Sequence, residues 1–163
     1  MRIGIDFDRV LFDTDKFNEY LKQAVEGLEH VDEEPYDQHG CYSPEMHAEL
    51  CGIPVERIYR AMEDLERFLY DDVSELESIE HEKIIITRGK PGFQEAKMDG
   101  SGVLKFVDGF IVIEEGSKDI DGIEFLVDDR KVEIEDAGVP GFVFDREKHT
   151  MTDVIDAVNE FDE

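Results

Sequence analysis

Short apolar runs alternate with amphipathic stretches along most of the chain. The apolar runs are rich in Ile, Val and Phe and predict strands at 2–7, 83–87, 109–113, 123–127 and 141–144. Stretches with apolar residues three and four positions apart predict helices at 91–99, 130–137 and 151–161. Strands that alternate with helices are typical of a parallel sheet covered on both faces. The pattern therefore predicts an α/β fold, a doubly wound, Rossmann-like parallel sheet with helices on both faces.

Residues 14–82 interrupt this alternation with helical patterns alone. From Phe17 onward apolar residues recur at helical spacing, whereas 31–44 contains two prolines and a glycine and predicts a loop. A short helix is predicted at 45–51. A second helix is predicted after Pro54, because Pro suits a first helical turn and because apolar residues then share one face. These residues are Val55, Ile58, Met62, Leu65 and Leu69.

This organisation predicts two domains. An α/β core comprises residues 1–13 plus 83–163, and a helical cap insertion comprises residues 14–82. We expect the cap, including residues 54–69, to lie over the carboxyl edge of the sheet. A cap in that position would exclude water from a site at the edge and would supply contacts for specificity.

Acidic pairs directly follow two of the predicted strands. Asp6 and Asp8 follow the first strand, and Asp128 and Asp129 follow the fourth. Because open parallel sheets bind ligands at the carboxyl ends of their strands, we expect both pairs to meet there. Side chains two apart in an extended chain point the same way, so Asp6 and Asp8 face one site. Such carboxylates can hold Mg²⁺, or one can act as a nucleophile while the other transfers protons.

Two further polar residues occur in the same order along the chain. Thr87 follows the second predicted strand, and Lys118 precedes the fourth. The Thr87 hydroxyl and the backbone N–H groups of Arg88 and Gly89 are suited to hold a phosphate, although Thr often only caps a turn. Carboxylates, a hydroxyl and an ammonium at one edge suit a divalent metal and a phosphoryl group.

In their order these signals resemble the four motifs of the haloacid dehalogenase (HAD) superfamily. Its first motif, D-x-D followed usually by Gly and then Thr or Val, resembles IGIDFDRVLFDTD. Its second motif, a Thr or Ser after a strand, resembles IIITRG. Its third-motif lysine resembles Lys118 in EEGSKDIDG, and its fourth, an acidic pair, resembles FLVDDR. The resemblance covers residues 1–163, and the insertion is similar to the helical cap of that family.

The resemblance implies a phosphatase that hydrolyses a small phosphomonoester. Asp6 would be the nucleophile that forms an aspartyl-phosphate, and Asp8 would protonate the leaving oxygen and then take a proton from water. Thr87 and Lys118 would bind the transferred phosphoryl group. The implied cofactor is Mg²⁺, and its implied ligands are Asp6, the backbone carbonyl of Asp8, Asp128, and Asp129 as a ligand or supporting residue.

One position differs from the family pattern, and the third motif has two candidate lysines. Arg9 stands where the family usually has Gly, and its long cationic side chain could reach the substrate, pair with an acidic cap residue or block the entrance. Lys105 competes with Lys118 for the third motif. We prefer Lys118, because it lies between two predicted strands and shortly before the fourth motif.

The chain is strongly acidic, with 43 Asp and Glu against 17 Lys and Arg and a net charge of −26. Such a charge destabilises a compact state by self-repulsion, but molar salt reduces the Debye length to about 3 Å and screens it. We therefore hypothesise that the protein comes from a halophile. The alternative is an acidic protein of an ordinary organism.

The same composition limits the partners. A deficit of basic residues argues against nucleic-acid binding, and residues 14–82, with 20 acidic and five basic side chains, would repel extended polyanions. We therefore expect a small phosphorylated metabolite as the substrate. No apolar run is long enough for a membrane span, and the N-terminus enters a strand without a signal peptide, so we expect a cytoplasmic protein. The oligomeric state is left open.

Other interpretations compete with the phosphatase. Four residues of the insertion are potential zinc ligands, although their spacing matches no usual structural zinc pattern. They are His39, Cys41, His47 and Cys51. A phosphate-receiving signalling module uses similar residues, but places its acceptor aspartate before the Thr and has no helical insertion. A catalytically degenerate HAD-like binding protein is a further alternative.

Overall fold

The computed structural model describes residues 1–29 and 35–163, so the predicted loop at 31–44 lies partly outside the described residues. The described residues form a five-stranded parallel sheet with the strand order β3-β2-β1-β4-β5. Its strands are β1 Arg2–Ile5, β2 Glu82–Arg88, β3 Gly109–Ile113, β4 Phe125–Asp128 and β5 Gly141–Val143. The predicted α/β fold is confirmed, with each predicted strand present within a few residues of its expected bounds.

Several of the described α-helices begin and end close to their predicted bounds. They are α1 Thr14–Ala24, α2 Pro44–Cys51, α3 Glu56–Arg60, α4 Pro91–Ser101, α5 Lys131–Ala137 and α6 Met151–Asp162. Helix α6 begins with a capping box, because the Thr150 side chain accepts from the N3 backbone and the Asp153 side chain accepts from the Thr150 backbone. Helix α2 starts at Pro44 and ends before Gly52, which has a φ of 69°.

Alternate residues of the central strands pack on opposite faces of the sheet. Ile85 of β2 belongs to the large hydrophobic core, together with Met98 of α4 and Val154 of α6. Its neighbours Ile84 and Ile86 belong to a smaller cluster with Ala137 of α5. Because side chains of a strand alternate between faces, these two clusters show that helices cover both sides of the sheet.

The single helix predicted after Pro54 is wrong. Helix α3 ends at Arg60, and the chain continues through a turn into 3₁₀ helices at Glu66–Phe68 and Asp71–Ser78. The reason is a tertiary hydrogen bond, since the backbone N–H of Leu65 donates to the Gly100 carbonyl at 2.8 Å instead of continuing a helix. The buried apolar residues of this stretch face the core in spite of the interruption, because the turn keeps Met62 and Leu65 buried.

The described residues of this insertion, 14–29 and 35–78, pack closely against the sheet. Phe17, Leu65 and Leu76 belong to the same hydrophobic cluster as Ile3 and Ile5 of β1. The division into a core of residues 1–13 plus 83–163 and a cap of residues 14–82 stays a prediction. In the described part of the chain, no helix is long and apolar enough to cross a membrane.

Close packing at Gly100 leads to a stability prediction. A Cβ atom at this position of α4 would overlap the backbone carbonyl oxygen of Met62. We expect Gly100→Ala to lower the free energy of unfolding by about 1–3 kcal/mol, the usual cost of overpacking. The control is Gly92→Ala in the same helix, where a Cβ meets only the Tyr59 hydroxyl at 3.7 Å. Thermal melting of both variants checks this, and equal melting temperatures would contradict the predicted contact.

The acidic composition leads to a second stability prediction. We expect the melting temperature to rise from low salt to about molar KCl, because like-charge repulsion is screened at a Debye length of about 3 Å. A non-ionic osmolyte at matched osmolality is the control for general solvent effects. A melting temperature that stays flat or falls with KCl would contradict the halophile hypothesis.

Candidate active site at the carboxyl edge of the sheet

The carboxyl ends of three neighbouring strands bring the predicted motifs together. Ile5 of β1 pairs with Ile85 of β2 on one side and with Val127 of β4 on the other. Asp6 follows Ile5 directly, and Asp128 follows Val127. The strand order β2-β1-β4 thus places the first, second and fourth motifs side by side, and Lys118 enters from the loop that precedes β4.

Asp6 is buried at the centre of this edge. Its Oδ1 accepts hydrogen bonds from the Lys118 Nζ at 3.0 Å and from the Phe7 backbone N–H at 2.9 Å. Burial raises the pKa of Asp6 most strongly, and Lys118 opposes the shift. The nearby carboxylates of Asp128 and Asp8 raise it further, so the pKa of Asp6 lies well above its usual value.

Asp6, Asp128 and Asp129 form an acidic group whose ligand atoms lie within 4.8 Å of one another. Within residues 1–29 and 35–163, no other set of three or more His, Cys, Asp or Glu side chains is so arranged. Burial also raises the pKa of Asp129, and the Asp128 carboxylate adds to this shift. Hard oxygen ligands crowded in this way fit Mg²⁺, since a divalent cation would neutralise their mutual repulsion.

Lys118 is the buried cation of this group. Its Nζ lies 2.6 Å from Asp128 Oδ2, in addition to its contact with Asp6, and only 2% of its side chain is exposed. Burial by itself would lower the pKa of Lys118, but Asp6 and Asp128 outweigh it and raise the pKa. Lys105, the competing candidate, instead pairs at 3.8 Å with Glu66 on the surface.

Asp8 is held by three side chains. Its Oδ1 accepts from Lys97 Nζ at 2.7 Å and from the Thr14 hydroxyl at 2.9 Å, and its Oδ2 accepts from Gln94 Nε2 at 2.9 Å. Burial would raise the pKa of Asp8, but the charge of Lys97 and these hydrogen bonds together lower it. The pKa values of Asp8 and its neighbour Asp6 are therefore shifted in opposite directions.

Lys97 and Gln94 were missed by the sequence analysis. Both are buried on α4, and the Lys97 ammonium lies 5.0 Å from the Phe93 ring centroid, with three further Phe rings around it. A signal was present, because Lys97 lies four positions after Phe93 and three after Gln94, and residues three or four apart share a helical face. A cation inside an aromatic cluster and beside one carboxylate is stabilised by both.

Two predicted phosphate-binding residues have other partners. Thr87 is fully buried, its hydroxyl accepts from Gln94 Nε2 at 2.6 Å, and it is absent from the described lining of the cavity at this edge. The Arg88 guanidinium binds both carboxylate oxygens of Glu133, another residue that the sequence analysis missed. The predicted backbone phosphate nest is wrong at Gly89, whose N–H donates to the Ile113 carbonyl at 3.0 Å.

Arg9 adopts a left-handed backbone conformation with a φ of 64°. Its backbone N–H donates to the Phe12 carbonyl at 2.9 Å and lies 3.2 Å from the Thr14 hydroxyl, so this conformation belongs to a hydrogen-bonded turn. A residue with a Cβ atom is disfavoured there by roughly 1–2 kcal/mol, whereas Gly is not. The Arg9 guanidinium pairs with Asp15 at 3.1 Å, with both side chains largely exposed.

A cavity of about 620 Å³ opens above these residues. The described residues that line it include seven Lys or Arg but only five Asp or Glu, the reverse of the balance in the whole chain. The seven cations are Arg9, Lys22, Arg88, Lys90, Lys97, Lys118 and Arg130. This local excess of positive charge suits an anionic ligand.

The insertion contributes one side of this cavity through α1 and residues 35–47. Among the described lining residues none comes from 54–69, so this stretch does not line the cavity, and its position over the carboxyl edge stays a prediction. Met62 and Leu65 lie instead against α4, through the hydrogen bond to Gly100 described above.

The four potential zinc ligands have other partners, and His47 and Cys51 share one of them, the Glu29 carbonyl. His47 contacts the Tyr42 hydroxyl at 2.6 Å and the Glu29 carbonyl at 2.8 Å, and His39 pairs with Glu115 at 3.4 Å. Cys41 and Cys51 are free thiols near the carbonyls of Glu114 and Glu29 respectively. These contacts do not point to a zinc site.

The sequence matches no family model and no curated protein, whereas the structure resembles solved HAD-like hydrolases. One is a haloacid dehalogenase-like family hydrolase from Xanthomonas campestris, with 14% identity, a TM-score of 0.52, and coverage of 92% of this chain and 85% of that one. L-2-haloacid dehalogenase from Xanthobacter autotrophicus has 13% identity, a TM-score of 0.57, and coverage of 86% and 75%. A Bacillus subtilis protein described as a HAD-hydrolase, bound to magnesium, has 12% identity, a TM-score of 0.56, and coverage of 86% and 84%. At these identities the comparisons establish the fold, which is that of the HAD-like hydrolases.

Proposed function

We propose that this protein is a Mg²⁺-dependent hydrolase that releases phosphate from a small phosphomonoester through an aspartyl-phosphate. The observation that carries the proposal is the surroundings of Asp6. Its buried carboxylate lies 3.0 Å from the Lys118 ammonium and belongs to the acidic group with Asp128 and Asp129. Phosphoryl transfer depends mainly on positioning and on neutralisation of charge, and this combination supports both.

The side chains support a two-step reaction. Asp6 would attack phosphorus and form an aspartyl-phosphate while the bond to the leaving oxygen breaks; water would then hydrolyse this intermediate. Lys118 would offset negative charge on Asp6 and on the phosphoryl group. Mg²⁺ held by Asp6, Asp128 and Asp129, with the Asp8 carbonyl, would supply further charge neutralisation.

Asp8 would serve as the proton-transferring group. Burial acts to raise the pKa of Asp8, but Lys97 and the other donors lower it; this favours the ionised form that can take a proton from the attacking water, although it also makes Asp8 a weaker base. To protonate the leaving oxygen in the first step, Asp8 must itself take up a proton. Lys97, Gln94 and Thr14 hold its two oxygens and so act as positioning residues.

The cavity supports a compact anionic substrate. Its seven basic residues would attract a phosphate ester, while the acidic surface elsewhere would repel an extended polyanion. We propose that residues 14–82 act as the cap of this site, with α1 and residues 35–47 as the part that contacts the substrate. Thr87 would support the phosphoryl site through its hydrogen bond with Gln94.

A haloacid dehalogenase activity is the second candidate, because one structural neighbour is an L-2-haloacid dehalogenase. Attack by Asp6 on carbon would displace halide in place of a leaving oxygen. The acidic group of Asp6, Asp128 and Asp129 favours the phosphatase, because a haloacid carries less charge for a divalent cation to neutralise.

The proposed function is tested by phosphate release from a panel of small phosphomonoesters, with 2-chloropropionate assayed in parallel for chloride release. We expect many phosphates per chain, full loss of activity with EDTA, and recovery with Mg²⁺. At most one phosphate per chain would instead support the phosphate-receiving module. Chloride release alone would support the dehalogenase, and no turnover of any compound would support the degenerate binding protein.

The role of Asp8 gives a prediction about leaving groups. We expect Asp8→Asn to slow hydrolysis of alkyl phosphates by about 10²–10⁴-fold, because the leaving oxygen goes unprotonated and the water lacks a base. With p-nitrophenyl phosphate the first step should suffer less, since p-nitrophenolate needs little protonation. Rapid-quench measurement of the first step with both substrates checks this, and equal slowing of that step would contradict the acid role.

A further inference from the structure

Arg9 occupies a backbone position that suits Gly better. Its φ of 64° accompanies a tight turn in which its N–H donates to the Phe12 carbonyl. The backbone conformation therefore gives no reason for an arginine here. Strained residues of this kind concentrate at ligand-binding sites.

The ion pair with Asp15 does not account for Arg9 either. Both side chains are more than half exposed, and their contact is a single N···O distance of 3.1 Å. Exposed pairs of this type contribute little to stability and are weakened by salt. Asp15 is thus a partner that an incoming anion can replace.

The position of Arg9 relative to the site is informative. It lines the cavity together with Asp6 and Asp129. The cations deeper in the cavity are already bound to carboxylates, since Lys118 contacts Asp6 and Lys97 contacts Asp8. The Arg9 guanidinium therefore lies beside the reaction centre, and its present partner, Asp15, is exposed.

We propose that Arg9 binds a second anionic group of the substrate, a carboxylate or a second phosphate carried by the leaving group. This inference rests on the proposed phosphatase function and narrows its substrate class to phosphomonoesters with another negative charge. The planar guanidinium presents two parallel donors to such a group, and this geometry suits either anion.

The test uses matched substrates that differ mainly in the second anion. One pair is 3-phosphoglycerate and glycerol 3-phosphate, and the other is fructose 1,6-bisphosphate and fructose 6-phosphate. We expect the wild-type protein to prefer the more anionic member of at least one pair, which identifies the carboxylate or the phosphate as the second group. Arg9→Gly should reduce that preference in kcat/KM by about 10- to 100-fold, mainly through KM, as expected for loss of a charged donor.

Two further variants separate recognition from charge and folding. Arg9→Lys keeps the charge but loses the paired donors, so we expect an intermediate preference. Asp15→Asn removes the competing carboxylate, so we expect the preference to rise, the opposite of the Arg9→Gly result. The melting temperature of Arg9→Gly without substrate should equal or exceed that of the wild type, because the strain is relieved.

Several outcomes would overturn the inference. These are the absence of a preference in the wild type, equal preferences in the wild type and Arg9→Gly, or a large fall in the melting temperature of Arg9→Gly that marks Arg9 as structural. A wild-type protein that hydrolyses no phosphomonoester would overturn the proposed function itself. The two failures are distinguished by the activity of the wild type on the less anionic member of each pair.

Discussion

Replacement of Asp6 by Asn is expected to abolish phosphate release, by roughly 10⁴-fold or more, because the amide cannot form the aspartyl-phosphate. The same change removes one of the three carboxylates of the acidic group. The measurement is phosphate release at saturating Mg²⁺, together with acid-quench trapping of phosphorylated protein from the wild type and the variant. The control is Asp136→Asn, which makes the same chemical change at an exposed position of α5. Near-normal, metal-independent turnover by Asp6→Asn would contradict the aspartyl-phosphate mechanism.

Loss of activity in this variant should occur without loss of stability. The folded protein raises the pKa of Asp6 well above 3.8, so ionised Asp6 destabilises the fold at neutral pH. In EDTA, protonated Asp6 contributes to the free energy of unfolding, and this contribution is fully present below the unfolded-state pKa of Asp6. The contribution is lost as the pH rises through the higher pKa of the folded state. Asn resembles the protonated carboxyl, so Asp6→Asn should melt at or above the wild-type temperature at neutral pH. Its melting temperature should also fall less steeply over that pH range. A lower melting temperature at neutral pH would contradict this account.

Replacement of Lys118 by Met is expected to impair both stability and catalysis. The variant leaves Asp6 and Asp128 buried without their cation, and Glu133 loses a cation at 3.8 Å. Breaking a buried ion pair in this way typically costs about 3–5 kcal/mol. We expect phosphate release to fall by about 10³-fold or more, because charge on the nucleophile and the phosphoryl group is no longer offset.

The matched control for Lys118 is Lys105→Met, at the exposed competing lysine, which should change little because its pair with Glu66 lies on the surface. Urea unfolding and initial rates provide the two measurements. Lys118→Arg restores the charge, so it should recover part of the stability. Wild-type stability and activity in Lys118→Met would contradict the role assigned to Lys118, and a defect in Lys105→Met of equal size would transfer that role to Lys105.

The sequence was sufficient for the α/β fold and for most of the strands and helices. The apolar runs before Asp6, Thr87 and Asp128 are buried on both faces of the sheet, so their pattern depends little on the details of packing. The order of the motifs could then predict that the acidic residues meet at the carboxyl edge of the sheet, because parallel strands bring their carboxyl ends together whatever their side chains contact. The prediction of a single helix after Pro54 was wrong, because the backbone hydrogen bond from Leu65 N–H to the Gly100 carbonyl of α4 outweighed a favourable helical pattern.

The sequence by itself determined that Asp6, Asp8, Asp128 and Asp129 lie at the carboxyl edge, because residues next to a buried parallel strand have little freedom in where they lie. Only the tertiary structure decided how those groups are paired. Lys97 and Gln94 reach Asp8 across more than 80 positions of sequence, and Glu133 holds Arg88. The packing of α4 and α5 against the sheet sets these contacts, and no local pattern encodes it. The opposite pKa shifts of Asp6 and Asp8 follow from the same packing, since burial dominates at Asp6 and the ammonium of Lys97 compensates it at Asp8.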